Sequence, residues 1–146
     1  MWRRKTYNLS TRPLTHLKFQ PDLLPGVNVI SRQQPGRVWI NAQAHDSSVL
    51  VPWRGEAQGW SARSVAELTP GHFDEILSLA PELVIFGSGA ILKFVSPALY
   101  RTLIERRIGI ETMDTAAACR TYNVLASEGR SVVAALLVDA SGATNE

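Results

Sequence analysis

The chain has a single cysteine, Cys119, so no disulfide can form within it, and a thiol zinc site, which needs several such ligands, is excluded. Its three histidines, His16, His45 and His72, are far apart and show no metal-ligand spacing. No apolar run approaches the ~18 residues that span a bilayer as a helix. The first 21 residues contain no acid and lack the apolar stretch of a secretory signal. A mitochondrial presequence would also be basic and poor in acids, but Pro13 and the absence of a clean amphipathic stripe argue against one. The expectation is a cytoplasmic protein without a transmembrane segment.

What is present fits one folded domain. Of 146 residues, 45% are hydrophobic and only 19% are charged, enough apolar surface for a core and too little charge for general disorder. The net charge of +2 is uneven. Arg3, Arg4, Lys5, Arg12 and Lys18 lie in residues 1–21, leaving 10 basic and 13 acidic residues in 22–146. Nucleic-acid binders spread their positive charge over a folded face. Here it sits in a terminal segment, so nucleic acid is not expected as a partner. The reading is a basic, flexible tail over 1–21, one domain over 22–139 and a disordered tail over 140–146.

Pattern and punctuation predict the elements. Strands are expected at Val27–Ile30, Arg37–Ala42 and Ser48–Trp53, with a Pro35-Gly36 turn and a loop at 44–47. These form an antiparallel meander that extends the main sheet or packs beside it. A helix starts at Thr69-Pro70 and buries Phe73, Ile76, Leu77 and Ala80. Leu83–Phe86 is continuous and apolar, as in a strand covered on both faces. Ser96-Pro97 opens a second helix to about Arg107, burying Leu99, Tyr100, Leu103 and Ile104, with Gly109 as its cap. Ile110–Met113 is the next strand, Asp114 or Thr115 caps a third helix to Glu128, and Val132–Val138 is the last strand. The fold class is α/β: one compact domain, a mixed sheet with flanking helices and an N-terminal β-meander.

Parallel strands deliver ligand sites beyond their carboxyl ends. The exits after Leu83–Phe86 and Ile110–Met113 are therefore expected at one rim, enclosing a crevice of Gly87, Ser88, Gly89, Asp114, Thr115, Cys119 and Arg120. Gly87-Ser88-Gly89 matches neither phosphate-loop pattern, GxxxxGK[ST] or GxGxxG. A carboxylate at Asp114 would repel an anion from the helix start and reads as a plain cap. Ser88 has no GxSxG context, and Cys119 has no histidine near it in sequence. Arg120 and Asn123 share a polar helical stripe that suits a carboxylate or a backbone segment of another protein. Trp39 stands opposite Val38 and Ile40, placing it on the outer face as a contact anchor or under a second layer. No catalytic constellation, cofactor motif or metal site emerges.

Three segments carry a family resemblance: Pro81-Glu82-Leu83-Val84-Ile85-Phe86-Gly87-Ser88-Gly89, the run from Gly109 through Met113-Asp114-Thr115 and Cys119-Arg120-Thr121-Tyr122-Asn123 to Leu125, and Glu128-Gly129-Arg130 with Val132–Leu137. They resemble the family called domain of unknown function 498 over roughly residues 27–138. Ser88 stands where the family often has threonine, which keeps the hydroxyl. The resemblance implies a mixed-sheet α/β fold and no established enzymatic activity. It also implies protein binding, because eukaryotic members include a mitochondrial complex I assembly factor. The leading expectation is a non-enzymatic domain that binds another protein, such as a respiratory-complex subunit or assembly protein. A second reading makes the strand-end crevice a small-molecule site or enzyme, with Ser88 and Cys119 reactive and Arg120 holding an anion. A eukaryotic source would imply mitochondria.

Overall fold

A strand of consecutive apolar residues is stable only where both of its faces are covered. That condition sets the architecture of the computed structural model, which describes residues 24–139. The last strand, β8 (Val132–Asp139), lies at the centre of a five-stranded sheet. Around it are β4 (Ser47–Val51), β5 (Gln58–Gly59), β6 (Leu83–Gly87) and β7 (Gly109–Met113), in the order β5-β4-β8-β6-β7. β6 runs parallel to both β7 and β8, while β4 is antiparallel to β8. The sheet is therefore mixed.

Alternate residues of β8 enter two separate cores. Val132, Ala134, Leu136 and Val138 pack with Ala118, Cys119, Tyr122 and Ala126 of helix α3 (Thr115–Ser127). Val133, Ala135 and Leu137 face the other way, toward Phe73 and Ile76 of helix α1 (Pro70–Leu77) and Leu103 of helix α2 (Arg101–Glu105). Trp60 meets Phe73 and Phe86 edge-on in that second core, each ring centroid 6.1 Å away. Its indole N–H donates to the His72 carbonyl at 3.0 Å, so burial leaves no polar atom unpaired.

The rest of the β half is a separate three-stranded antiparallel sheet, β1 (Ile30–Gln34), β2 (Arg37–Ile40) and β3 (Gln43–His45). Ile30, Val38 and Ile40 bring it onto the α3 side of the main sheet. So the expected meander divides: β4 and β5 extend the main sheet, and β1–β3 pack beside it.

Several boundaries differ from the sequence expectation. The first strand begins at Ile30, not Val27, because Asn28 is drawn into a polar network instead of a ladder. Its amide donates to the carbonyls of Pro52 and Gly55, and its own oxygen accepts from Asn41. The expected loop at 44–47 contains β3 and the start of β4; exposed Gln43 and Ala44 give no apolar alternation to read. The hairpin turn is Asn41-Ala42, with φ of 51° and 76°. The first helix stops at Leu77, and Ala80, expected to be buried, is exposed and reverses the chain at φ 50°. The second helix opens as a 3-10 turn over Pro97–Tyr100 before α2. Three residues per turn instead of 3.6 rotate the face that follows. Leu103 is therefore fully buried, whereas Ile104, expected in the core, is 52% exposed. Arg107, at φ 60°, makes the left-handed reversal expected of Gly109, which instead opens β7 against Leu83. The two tails, 1–21 and 140–146, lie outside the described residues.

Candidate functional site

The parallel pairing of β6 and β7 brings Gly87 beside Met113, so the two strand exits leave at one rim. Hydrogen bonds then stitch the exits together. Ser88 N–H donates to the Met113 carbonyl at 2.8 Å, and Thr115 N–H to that of Gly89 at 2.9 Å. The Thr115 hydroxyl accepts from Gly89 N–H at 2.9 Å and donates to the Leu137 carbonyl at 2.8 Å. One side chain thus ties the ends of β6 and β8 to the start of α3. Gly87 is needed for this approach: a Cβ there would stand 2.9 Å from the Thr115 hydroxyl and 3.1 Å from Ala118 Cβ.

Each remaining candidate has a definite place. The Ser88 hydroxyl donates to the Ile91 carbonyl at 2.8 Å and accepts from Lys93 N–H at 3.0 Å, bracing the loop that follows β6. The Asp114 carboxylate accepts from Ala117 N–H at 2.8 Å, an N-cap bond at the positive end of α3. Cys119 is buried in the core between α3 and the sheet. Burial pushes its thiol from an ordinary 9.0 up to about 12, against a smaller downward pull from Arg120. It stays protonated at neutral pH and is a poor nucleophile. Arg120 is exposed and makes no ion pair among the described residues. Asn123 faces inward and clamps its own chain: its side chain accepts from Ile30 N–H at 2.9 Å and donates to the Ile30 carbonyl at 2.8 Å. Next to it, the Tyr122 hydroxyl reaches the carbonyls of Asn28 and Pro52, and burial raises its pKa as well.

Beside the stitched rim runs a groove of about 540 Å³. One wall is Ser88–Ile91 with Lys93, and the floor includes Thr115, Ala116 and Leu137. The β1–β2 turn (Gln33–Gly36) and the segment Arg63–Val65 complete it, with Asp139 at the end of β8. Ser88, Gly89 and Thr115 line the groove; Gly87, Asp114, Cys119, Arg120 and Asn123 do not. The turn at 35–36 was legible in the sequence, but the packing of the small sheet is what brings it here, and the segment 63–65 has no local motif. A smaller cleft of about 320 Å³, lined by Asn28, Asn41, Gln43, His45 and Glu56 among others, opens at the Asn28 network.

Two further features escape residue-by-residue reading. Ile91, Leu92 and Phe94 are 63%, 50% and 73% exposed, and they project from the loop that Ser88 braces. Their sequence signal was an apolar cluster between a strand and a helix cap, where a polar loop is the norm. Trp39 is half-buried on the outer face, with the Arg32 guanidinium 4.7 Å and that of Arg37 5.9 Å from its ring. Two cations cover it in place of the second layer considered from the sequence.

The profile of a family described as "Protein of unknown function (DUF498/DUF598)" matches residues 30–137. The chain belongs to this family. An uncharacterised protein of Rhodobacter capsulatus is 40% identical over 109 residues, covering 70% of this chain and 78% of that protein. A Bos taurus protein named NADH dehydrogenase (ubiquinone) 1 alpha subcomplex assembly factor 3 is 34% identical over 85 residues, covering 57% of this chain and 46% of that protein. The chain thus spans less than half the length of that relative. The crystal structure of a Bordetella parapertussis protein, 32% identical, matches 78% of this chain and 98% of its own with a TM-score of 0.75. Several relatives are named as NADH dehydrogenase assembly factors, and the mixed α/β fold is shared with solved structures. No helix among the described residues is long and apolar enough to cross a membrane.

Proposed function

We propose that this protein assists the assembly of a respiratory or other membrane complex by binding a protein partner in the groove beside the β6–β7 exits. The observation that carries the reading is the state of the polar groups there. The hydroxyls of Ser88 and Thr115 and the amides of Ser88, Gly89 and Thr115 already bond within the chain. What the groove offers outward is mainly apolar, from Val65, Ala90 and Ile91 over the buried Val38 and Leu137, with Lys93, Arg63 and Asp139 as its charged residues. An apolar concavity with a few rim charges suits a side-chain anchor of another protein better than it suits bond-making chemistry. The assembly-factor names of relatives support the same reading.

Ala90 is exposed and lines the groove, so Ala90→Arg should block it and leave the fold intact. The test is affinity capture from the native cell with both forms, with thermal melts to check folding. The wild type should retain a respiratory-complex subunit or assembly protein that Ala90→Arg loses. Recovery of no partner above background, or equal recovery by both forms, would count against the proposal.

A further inference from the structure

Helix α2 and the turn after it gather cations that the fold does not use. Arg101, Arg106 and Arg107 fall within seven residues, and all three are exposed. They are three of the 10 basic residues in 22–146, a stretch that holds 13 acids. None of them makes an ion pair or a side-chain hydrogen bond among the described residues. Glu105 stands four residues from Arg101, the helical spacing for an ion pair, yet leaves it unpaired. Acids of neighbouring elements are already engaged. Asp74 on α1 accepts from the Thr102 hydroxyl at 2.8 Å. Glu82, whose carbonyl accepts from Gly109 N–H, is bound by Arg130 at 3.0 Å.

Helix capping does not account for this cluster. A helix dipole favours cations at the C-terminal end, but Arg101 is the first residue of α2. Arg107 has φ of 60°, a left-handed conformation that glycine or asparagine adopts at lower cost. Arginine thus stands where it strains the backbone. Amid the three lies Ile104, 52% exposed because the 3-10 turn ahead of α2 rotates it out of the core. Unpaired guanidiniums around one exposed aliphatic side chain complement carboxylates set beside an apolar residue. Each guanidinium fork can hold a carboxylate through two hydrogen bonds. A nucleic acid would meet a net acidic body over a patch little more than one helical turn long. A bilayer would find a single aliphatic side chain to bury. We infer that α2 and its C-terminal turn form a docking surface for an acidic, amphipathic segment of a protein partner. Arg101, Arg106 and Arg107 bind its carboxylates, and Ile104 meets its apolar residue. This surface is separate from the groove. Its turn leads into Gly109, beside Leu83 at the starts of β7 and β6, whereas the groove lies beside the exits of those strands.

The test is fluorescence anisotropy of the full chain with a labelled synthetic peptide of glutamates interspersed with leucines, and with its glutamine counterpart. The glutamate peptide should bind, and the glutamine peptide should bind at least about tenfold more weakly. Arg101→Gln/Arg106→Gln/Arg107→Asn should lose at least about tenfold in affinity for the glutamate peptide without a lower melting temperature, since asparagine suits the left-handed turn. Ile104→Ser should lose about threefold. Arg107→Gly separates binding from folding: it should raise the melting temperature and still weaken the peptide. In amide NMR spectra the peptide should shift Arg101–Ile108. Absence of binding, equal binding by the triple variant, or shifts confined to Ser88–Ile91 at the groove would overturn the inference. So would tighter binding of an oligouridylate or of phosphatidylglycerol vesicles than of the peptide, because the arginines would then serve phosphates and not a protein.

Discussion

Asn123 shows how a polar stripe on a helix can point inward. Its amide satisfies both backbone groups of Ile30, 93 residues away, and so fastens the small sheet to α3. Asn123→Ala should destabilise the fold by about 1–3 kcal/mol in urea denaturation, since two part-buried backbone groups lose their partner. Gly87→Ala should also destabilise, by about 1–3 kcal/mol, because the new methyl would press on Thr115 and Ala118. Cys119 gives a pH prediction. Its thiol is raised from 9.0 to about 12 in the fold, so between these values the unfolded chain loses its proton first. The contribution is fully present below pH 9 and is lost as pH rises toward 12. Stability of the wild type minus that of Cys119→Ala should therefore fall across that window, by at most about 1.4 kcal/mol per pH unit. A flat difference would show that the thiol titrates normally.

At the scale of elements, turns carry much of the information and some of the strain. The β2–β3 hairpin closes through Asn41-Ala42 with both φ positive, a mirror-image turn that favours asparagine and then glycine. Asparagine fits; alanine at φ 76° does not. Ala42→Gly should raise stability by about 1 kcal/mol, read as a higher melting temperature, because the left-handed penalty exceeds glycine's extra unfolded-state entropy. The Thr69-Pro70, Ser96-Pro97 and Asp114 starts were all legible, since capping and proline chemistry are local. The phase of α2 was not, because the 3-10 turn ahead of it rotates Ile104 outward.

Across the whole molecule, β8 is the shared wall of two cores, while β3 and β5 are short and solvent-facing. Native-state hydrogen exchange should reflect this: amides of Val133–Leu137 should exchange only through global unfolding, and those of Gln43–His45 through local opening. Mass-resolved exchange would detect the reverse order directly. The candidate site follows the same division. Its Ser88, Gly89 and Thr115 wall could be located because parallel strands with short exits must deliver them to one rim. Its opposite wall joins Gln33–Gly36, legible as a turn, to Arg63–Val65, which has no motif, and neither carries a local signal for its place at this rim.

The order of apolar runs, caps and turns determined the class of fold and the parallel β6–β7 pair, because hydrophobic periodicity and backbone chemistry act over a few residues. Only the tertiary structure decided that the β half splits into two sheets, that Asn123 binds its own backbone, and that a groove opens beside the strand exits. Those outcomes depend on which distant surfaces meet, and a contact between residues 93 positions apart leaves no trace in the local pattern of either partner.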